Sequence, residues 1–276
     1  MSSKNFIAKI ALIIIVILFF LPVSAADGLS VGEESSLSLT SEGGKKKFVD
    51  HGSAPRFIEP QIHIWYGGSM VTENYVSCFS EISQMNSNPG SNIGLGGVVV
   101  FGISDFIGLG TELNVSLSKY RTDFAVSNNS VTSVSNIFLR NRAWYVNFPV
   151  YVQFRFNVDS RVRWNIDTGM YYSYGFSGSQ SQSIYGAQIN DLGQLVSVKI
   201  NSKPSYFNNS DTFINSYRRG DIGLHLATAL TFSGKYSFGA RLNLGFKNIS
   251  YIMNNAWIVN PNIHNFNFAF VVGRTF

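Results

Sequence analysis

Between Ala143 and Phe176 the chain alternates apolar and polar residues with a period of two, the repeat of a strand and not of a helix. Trp144, Val146, Phe148, Val150, Val152, Phe154 and Phe156 fall on even positions, and Tyr145, Asn147, Tyr151, Gln153 and Arg155 on odd ones. Asn157-Val158-Asp159-Ser160 has turn chemistry. The pattern then resumes, with Val162, Trp164, Ile166, Thr168, Met170, Tyr172, Tyr174 and Phe176 on one face and Arg163, Asn165, Asp167, Gly169 and Ser173 on the other. Each predicted strand is longer than the roughly 5 to 6 residues usual in soluble proteins and satisfies the roughly 9 to 11 tilted residues needed to cross a bilayer. A water-facing polar face would be dense in Lys and Glu. This one holds Gly, Ser, Asn, Tyr and a few charges of both signs, which predicts a crowded, hydrated interior and an apolar face turned to lipid. Trp144, Trp164 and Tyr174, near the strand ends, suit the aromatic girdles of a membrane interface.

Six further stretches alternate in the same way, at about 57–67, 93–102, 106–119, 221–232, 236–247 and 263–276. Short links at 103–105, 157–161 and 233–235 alternate with long, Ser- and Asn-rich ones at 68–92, 120–142, 177–220 and 248–262. An even strand count, with tight turns at one end and long loops at the other, predicts an all-β fold: an eight-stranded antiparallel transmembrane β-barrel of outer-membrane type. Pro149 falls on an inward position, where its missing N–H predicts a bulge or kink. Alternation from Gln194 to Ile200 predicts a hairpin standing beyond the membrane.

Upstream, Lys4 and Lys9 precede an uncharged apolar run from Ile10 to Leu21 and a small-residue site at Val23-Ser24-Ala25, so residues 1–25 are expected to be a cleaved signal peptide. Residues 26–56, rich in Ser, Gly, Glu and Lys and carrying Lys45-Lys46-Lys47, predict a flexible periplasmic arm, and 57–276 the barrel. Of 21 basic residues, Lys4 and Lys9 leave with the leader, so 19 face 16 acidic ones, a net +3. That argues against a nucleic-acid partner. Charged residues make up 13% of the chain and aromatics 14%, a membrane-barrel composition. Cys78 alone excludes a disulfide framework. The aromatic last residue, Phe276, closes an amphipathic strand as outer-membrane insertion signals do, although Arg274 stands where a further apolar residue is usual.

The blocks GLGGVVVFGISDFIGLGTELNVSLSKY from Gly94, YVNFPVYVQFRF and RRGDIGLHLATALTF resemble the PorT-like outer-membrane β-barrel family of Bacteroidetes. Its elements correspond to Gly94 to Gly102, Glu112-Leu113, Phe148-Pro149-Val150 and Asp221-Ile222-Gly223, spread over most of residues 57–276. The resemblance implies a barrel in the outer membrane of a Gram-negative cell, and for one member a part in protein secretion across that membrane.

An eight-stranded barrel is just wide enough to be filled by side chains. The inward charges Glu112, Arg155, Arg163, Asp167, Asp221, Arg241 and Lys247, with His225, therefore predict a salt-bridged plug. Asp221 and His225 share a face but stand four residues apart, about 13 Å, too far to touch. His63 also points inward, and Ser173 is a hydroxyl that could approach a histidine. No HExxH, CxxC, nucleophile elbow or P-loop occurs, so no catalytic residue, metal site or cofactor is expected and the protein is read as a non-enzyme. Lys119, Arg121, Arg140, Arg142, Arg218 and Arg219 gather at the loop-side rim, where Arg suits the phosphates of lipopolysaccharide. The expected role is structural or interactive, with a secretion-system or other envelope protein as partner. Narrow transport of small solutes and lipid modification are the alternatives.

Overall fold

A computed structural model describes residues 47–50, 58–78, 82–127, 134–189, 191–208, 216–251 and 261–276. The expected signal peptide, 1–25, and nearly all of the expected arm, 26–56, lie outside these residues. Within the arm, Phe48 stacks on Phe156 at 5.2 Å and its carbonyl accepts the Asn157 N–H at 2.9 Å.

In chain order the strands are β1 (Ile58–Glu73), β2 (Ile82–Asn88), β3 (Gly90–Gly102), β4 (Ile107–Ser127), β5 (Val134–Asp159), β6 (Val162–Ile189), β7 (Leu195–Ser202), β8 (Gly220–Phe232), β9 (Tyr236–Gly245) and β10 (Ile263–Thr275), with a single helical turn, α1 (Tyr75–Cys78), after β1. Eight of them close an antiparallel ring in the order β1, β3, β4, β5, β6, β8, β9, β10 and back to β1. Closure leaves no open edge in the ring, so every rung is satisfied within the protein, as hydrocarbon requires.

The predicted faces are the observed ones. Ile62, Ile64, Leu95, Leu113, Phe148, Val150, Met170, Ile222, Phe238 and Phe270 stand exposed around the outside, while their strand neighbours are buried or half-buried. The β8–β9 link, residues 233–235, turns at Ser233 and Gly234, which both have positive φ (50° and 67°), and Lys235 N–H donates to Phe232 O at 2.9 Å. That is the primed geometry matching the right-handed twist of the strands it joins.

Three expectations are corrected. The loops expected at 120–142 and 177–220 are in large part strand: β4, β5 and β6 run for 21, 26 and 28 residues, far past the lipid-facing rows. Alternation does continue there, with Tyr120, Thr122 and Phe124 buried, but outward polar residues replace outward apolar ones. Two further strands join this extension, β2 beside β4 and β7 beside β6. Residues 182–189 and 195–202 form the hairpin foreseen beyond the membrane. Pro149 causes no bulge. The β4–β5 ladder lapses between Thr111↔Val150 and Asn114↔Asn147 and resumes in the same register, while Thr111 Oγ1 donates to the Pro149 carbonyl at 3.2 Å. Lys247, expected inside, lies exposed beyond the end of β9.

Inward glycines make room for bulky inward rings. A Cβ on Gly94 would stand 2.1 Å from a Trp65 ring carbon, and one on Gly110 2.3 Å from the ring of Tyr151. At the long-loop end the filling changes from polar to aromatic: Val71, Tyr120, Phe124, Leu139, Tyr145, Tyr206, Phe207, Tyr217, Ile249 and Ile263 form one buried cluster. A smaller apolar layer of Val98, Val100 and Tyr151 lies within the barrel.

Candidate functional site

Pairing register brings the inward residues into layers. Across β5, β6 and β8, Gln153 stands level with Asp167 and Ala227, Tyr151 with Gly169 and His225, and Asn147 with Ser173 and Asp221. Residues far apart in sequence therefore meet in the lumen, and each charge finds a partner close by.

At the short-turn end Glu59 accepts from two guanidiniums, Arg155 at 2.9 Å and Arg163 at 3.3 Å. Arg155 Nε also donates to Gln153 Oε1 at 2.9 Å, and Gln153 Nε2 to Asp167 at 2.9 Å. In the next layer Arg241 donates to both Glu112 oxygens, at 2.9 and 3.2 Å. Asn114 Nδ2 reaches the same carboxylate at 2.6 Å, and His63 Nε2 lies 2.9 Å from Asn114 Oδ1. The Arg241 guanidinium also lies over the Trp65 ring, 4.6 Å from its centroid, and Trp65 Nε1 donates to Asn92 at 2.6 Å. His225 Nδ1 is 2.7 Å from Asn243 Oδ1. Higher still, Tyr171 and Asn265 donate to Asp221 at 2.9 and 2.8 Å. Asp221 and His225 thus have separate partners, and the Ser173 hydroxyl donates to Asn147 Oδ1 at 2.7 Å, not to a histidine.

Above this column sits the aromatic cluster, supplied by strand residues, by Tyr206, Phe207 and Tyr217 from between β7 and β8, and by Ile249 from after β9. Tyr206 stacks on Tyr217 at 4.6 Å, meets Phe207 edge-on at 4.7 Å and shares hydroxyl contacts with Tyr120 at 2.7 Å and Tyr145 at 3.3 Å. Below it the lumen keeps small hollows of about 20 and about 50 Å³, room for one to a few waters each.

Of the predicted interior residues, Glu112, Arg155, Asp167, Asp221, His225 and Arg241 are buried in this column, and Arg163 is half-buried at its lower end. Sequence reading places Asn114, Asn243 and Asn265 on inward faces without a role, and does not name Glu59, the shared acceptor, or Asn92. Their inward parity was the available signal; their partners were not.

The predicted basic rim divides. Lys119 stands opposite Arg142 on the β4–β5 ladder, and Arg121 opposite Arg140, all four pointing outward and exposed. They line a groove of about 950 Å³ with Lys203, which sequence reading did not single out. An adjoining hollow of about 430 Å³ runs up the same wall past Arg121, Phe138, Arg140 and Tyr185. Arg218 and Arg219 serve the mouth instead. Arg218 Nε donates to Ser250 O at 2.9 Å, while Arg219 donates to Gly175 O at 2.8 Å and lies over Phe207.

The family profile described as "Outer membrane protein beta-barrel domain" matches residues 61–251. Among solved structures, Ail, the attachment invasion locus protein of Yersinia pestis, crystallised with the heparin analogue sucrose octasulfate, aligns at 13% identity and a TM-score of 0.32 over 79% of this chain and 99% of that one. Neisserial surface protein A aligns at 9% identity and 0.30 over 79% and 97%, and OprG of Pseudomonas aeruginosa at 7% and 0.24 over 79% and 94%. No curated protein matches in sequence.

Proposed function

Because this chain belongs to the outer membrane protein β-barrel domain family and is an outer-membrane protein, we propose that it is a non-conducting barrel that serves as a platform for interaction. The observation that carries the reading is the filled lumen: the Glu59 and Glu112 ion pairs and their amide neighbours occupy the bore, and the Tyr206 cluster closes its upper end. An ion would have to displace paired groups at several kcal/mol each. Purified protein reconstituted into planar bilayers is expected to give no stepwise conductance; reproducible channel steps would overturn the reading in favour of narrow solute transport.

What such a barrel offers is its outer extension, in which β2, β4, β5, β6 and β7 lie side by side beyond the lipid-facing rows. Leu192, Leu195, Val196 and Ile200 stand exposed on or beside β7, apolar contacts suited to a protein of the envelope. A secretion accessory is the specific form suggested by the PorT resemblance. Deleting residues 190–202 should leave insertion intact and abolish the change in secreted proteins that loss of the gene produces; an unchanged secretome on loss of the gene would exclude that form. Ser173 is bonded to Asn147, His225 Nδ1 to Asn243 and Asp221 to Tyr171 and Asn265, so the three are not joined in a relay, which favours a non-enzyme. His225→Ala and Asp221→Asn are accordingly expected to leave membrane lipid composition unchanged.

A further inference from the structure

We propose that the outward groove on β4 and β5 binds the phosphates of an anionic, phosphorylated glycolipid of the outer leaflet, held by Lys119, Arg121, Arg140, Arg142 and Lys203. This deepens the platform reading by naming a ligand, and it rests on the outer-membrane placement of the barrel.

Like charges placed directly opposite on a ladder repel. Here two such pairs are stacked, Lys119 against Arg142 and Arg121 against Arg140. Among the described residues the carboxylate in ion-pair contact here is Asp123, 2.6 Å from Arg121 Nε, and it meets that arginine of the four. A polyvalent anion would relieve the repulsion, and paired guanidiniums offer the bidentate geometry that phosphate favours. Height on the wall selects a lipid over a soluble anion. On β4 the outward residues from Ile107 to Leu117 are apolar apart from Thr111, and the very next outward position is Lys119. On β5 the outward Trp144, in contact with Phe176, is the next outward position after Arg142 on the way down into the membrane. The cations thus begin one outward step, roughly 7 Å, above the aromatic and aliphatic belt, where acyl chains give way to headgroups. Lys203 approaches from the segment after β7 and makes the site a groove in place of a flat wall.

The test compares the processed protein in phosphatidylcholine nanodiscs containing lipid A, dephosphorylated lipid A or neither, reading the thermal midpoint and the lipid retained on repurification. Lipid A is expected to raise the midpoint and be retained, and dephosphorylated lipid A to do neither. Arg140→Glu with Arg142→Glu should weaken lipid A retention on the order of tenfold or more, and the milder Arg140→Gln with Arg142→Gln should weaken it less while folding normally. Lys235→Glu, in the turn at the opposite end, should change nothing. Equal retention of the dephosphorylated lipid, or unchanged retention by the Gln pair, would overturn the proposal. So would full competition by micromolar pyrophosphate, which would mark a site for a small soluble anion. Conductance plays no part in these readouts, so a leaky barrel and an empty groove are distinguishable failures.

Discussion

Glu112 and Arg241 lie 129 positions apart in the chain, yet the Arg241 guanidinium stands 2.9 Å from the Glu112 carboxylate, both side chains almost wholly removed from solvent. Asn114 and Trp65 fix the two ends of the pair, one by an amide N–H to the carboxylate and the other by its ring face under the cation. Removing one partner leaves a buried charge uncompensated, which costs about 3–5 kcal/mol. Glu112→Ala is therefore expected to lower unfolding free energy in urea by that amount. Glu112→Leu combined with Arg241→Met should recover most of the loss, because the double change removes both charges together.

Trp65 has room only because residue 94 is glycine. With a Cβ 2.1 Å from the ring, Gly94→Ala must push the indole off Asn92 and out from under Arg241. The variant should lose at least the 1–3 kcal/mol typical of overpacking, read as slower folding and a lower urea midpoint in lipid vesicles. Gly97→Ala on the same strand meets nothing within 4 Å and serves as the neutral control.

The outer face answers to a different rule. Leu113 is 56% exposed on the lipid side, so Leu113→Arg should cost about 2–4 kcal/mol in a bilayer. Were that face turned to water, the same substitution would be almost neutral, and equal stability of the two proteins in vesicles would contradict the orientation.

The two seals can be separated. Tyr206 is fully buried among Tyr120, Tyr145, Phe207 and Tyr217. Tyr206→Ala should destabilise the mouth by about 3–5 kcal/mol and expose the segment around residue 205 to protease. Conductance should stay absent, because the Glu112–Arg241 layer below is untouched.

Glu73, at the long-loop end of β1 past the lipid-facing rows, is the group there with a clear pH consequence. Burial pushes its carboxyl well above the usual value near 4.5, and the neighbouring Tyr217 hydroxyl pulls the other way. Because the folded value is the higher one, the neutral carboxyl's stabilising contribution is complete below pH 4.5. It declines as pH climbs from there and is lost once pH passes the folded value. Proteolysis of the mouth should accordingly quicken from mildly acidic to alkaline buffer, and Glu73→Gln should flatten that dependence.

Period-two alternation by itself determined the fold class, the eight ring strands, the short turns and the direction of each face. Those are properties of single strands and their links, and a bilayer imposes strict apolar outward rows that leave little ambiguity. The reach of β4, β5 and β6 was partly legible: Tyr120, Thr122 and Phe124 keep the inward parity, but outward Lys119, Arg121 and Asp123 look like loop chemistry once lipid no longer demands apolar partners. Pairing lay beyond the sequence. Which cation meets Glu112, that Glu59 serves two arginines, and that Lys203 joins four rim cations while Arg218 and Arg219 turn to the mouth all depend on strand register and ring closure. Closure sets residues from opposite ends of the chain face to face across a bore only a few side chains wide, a relation that the order of residues along any one strand does not contain.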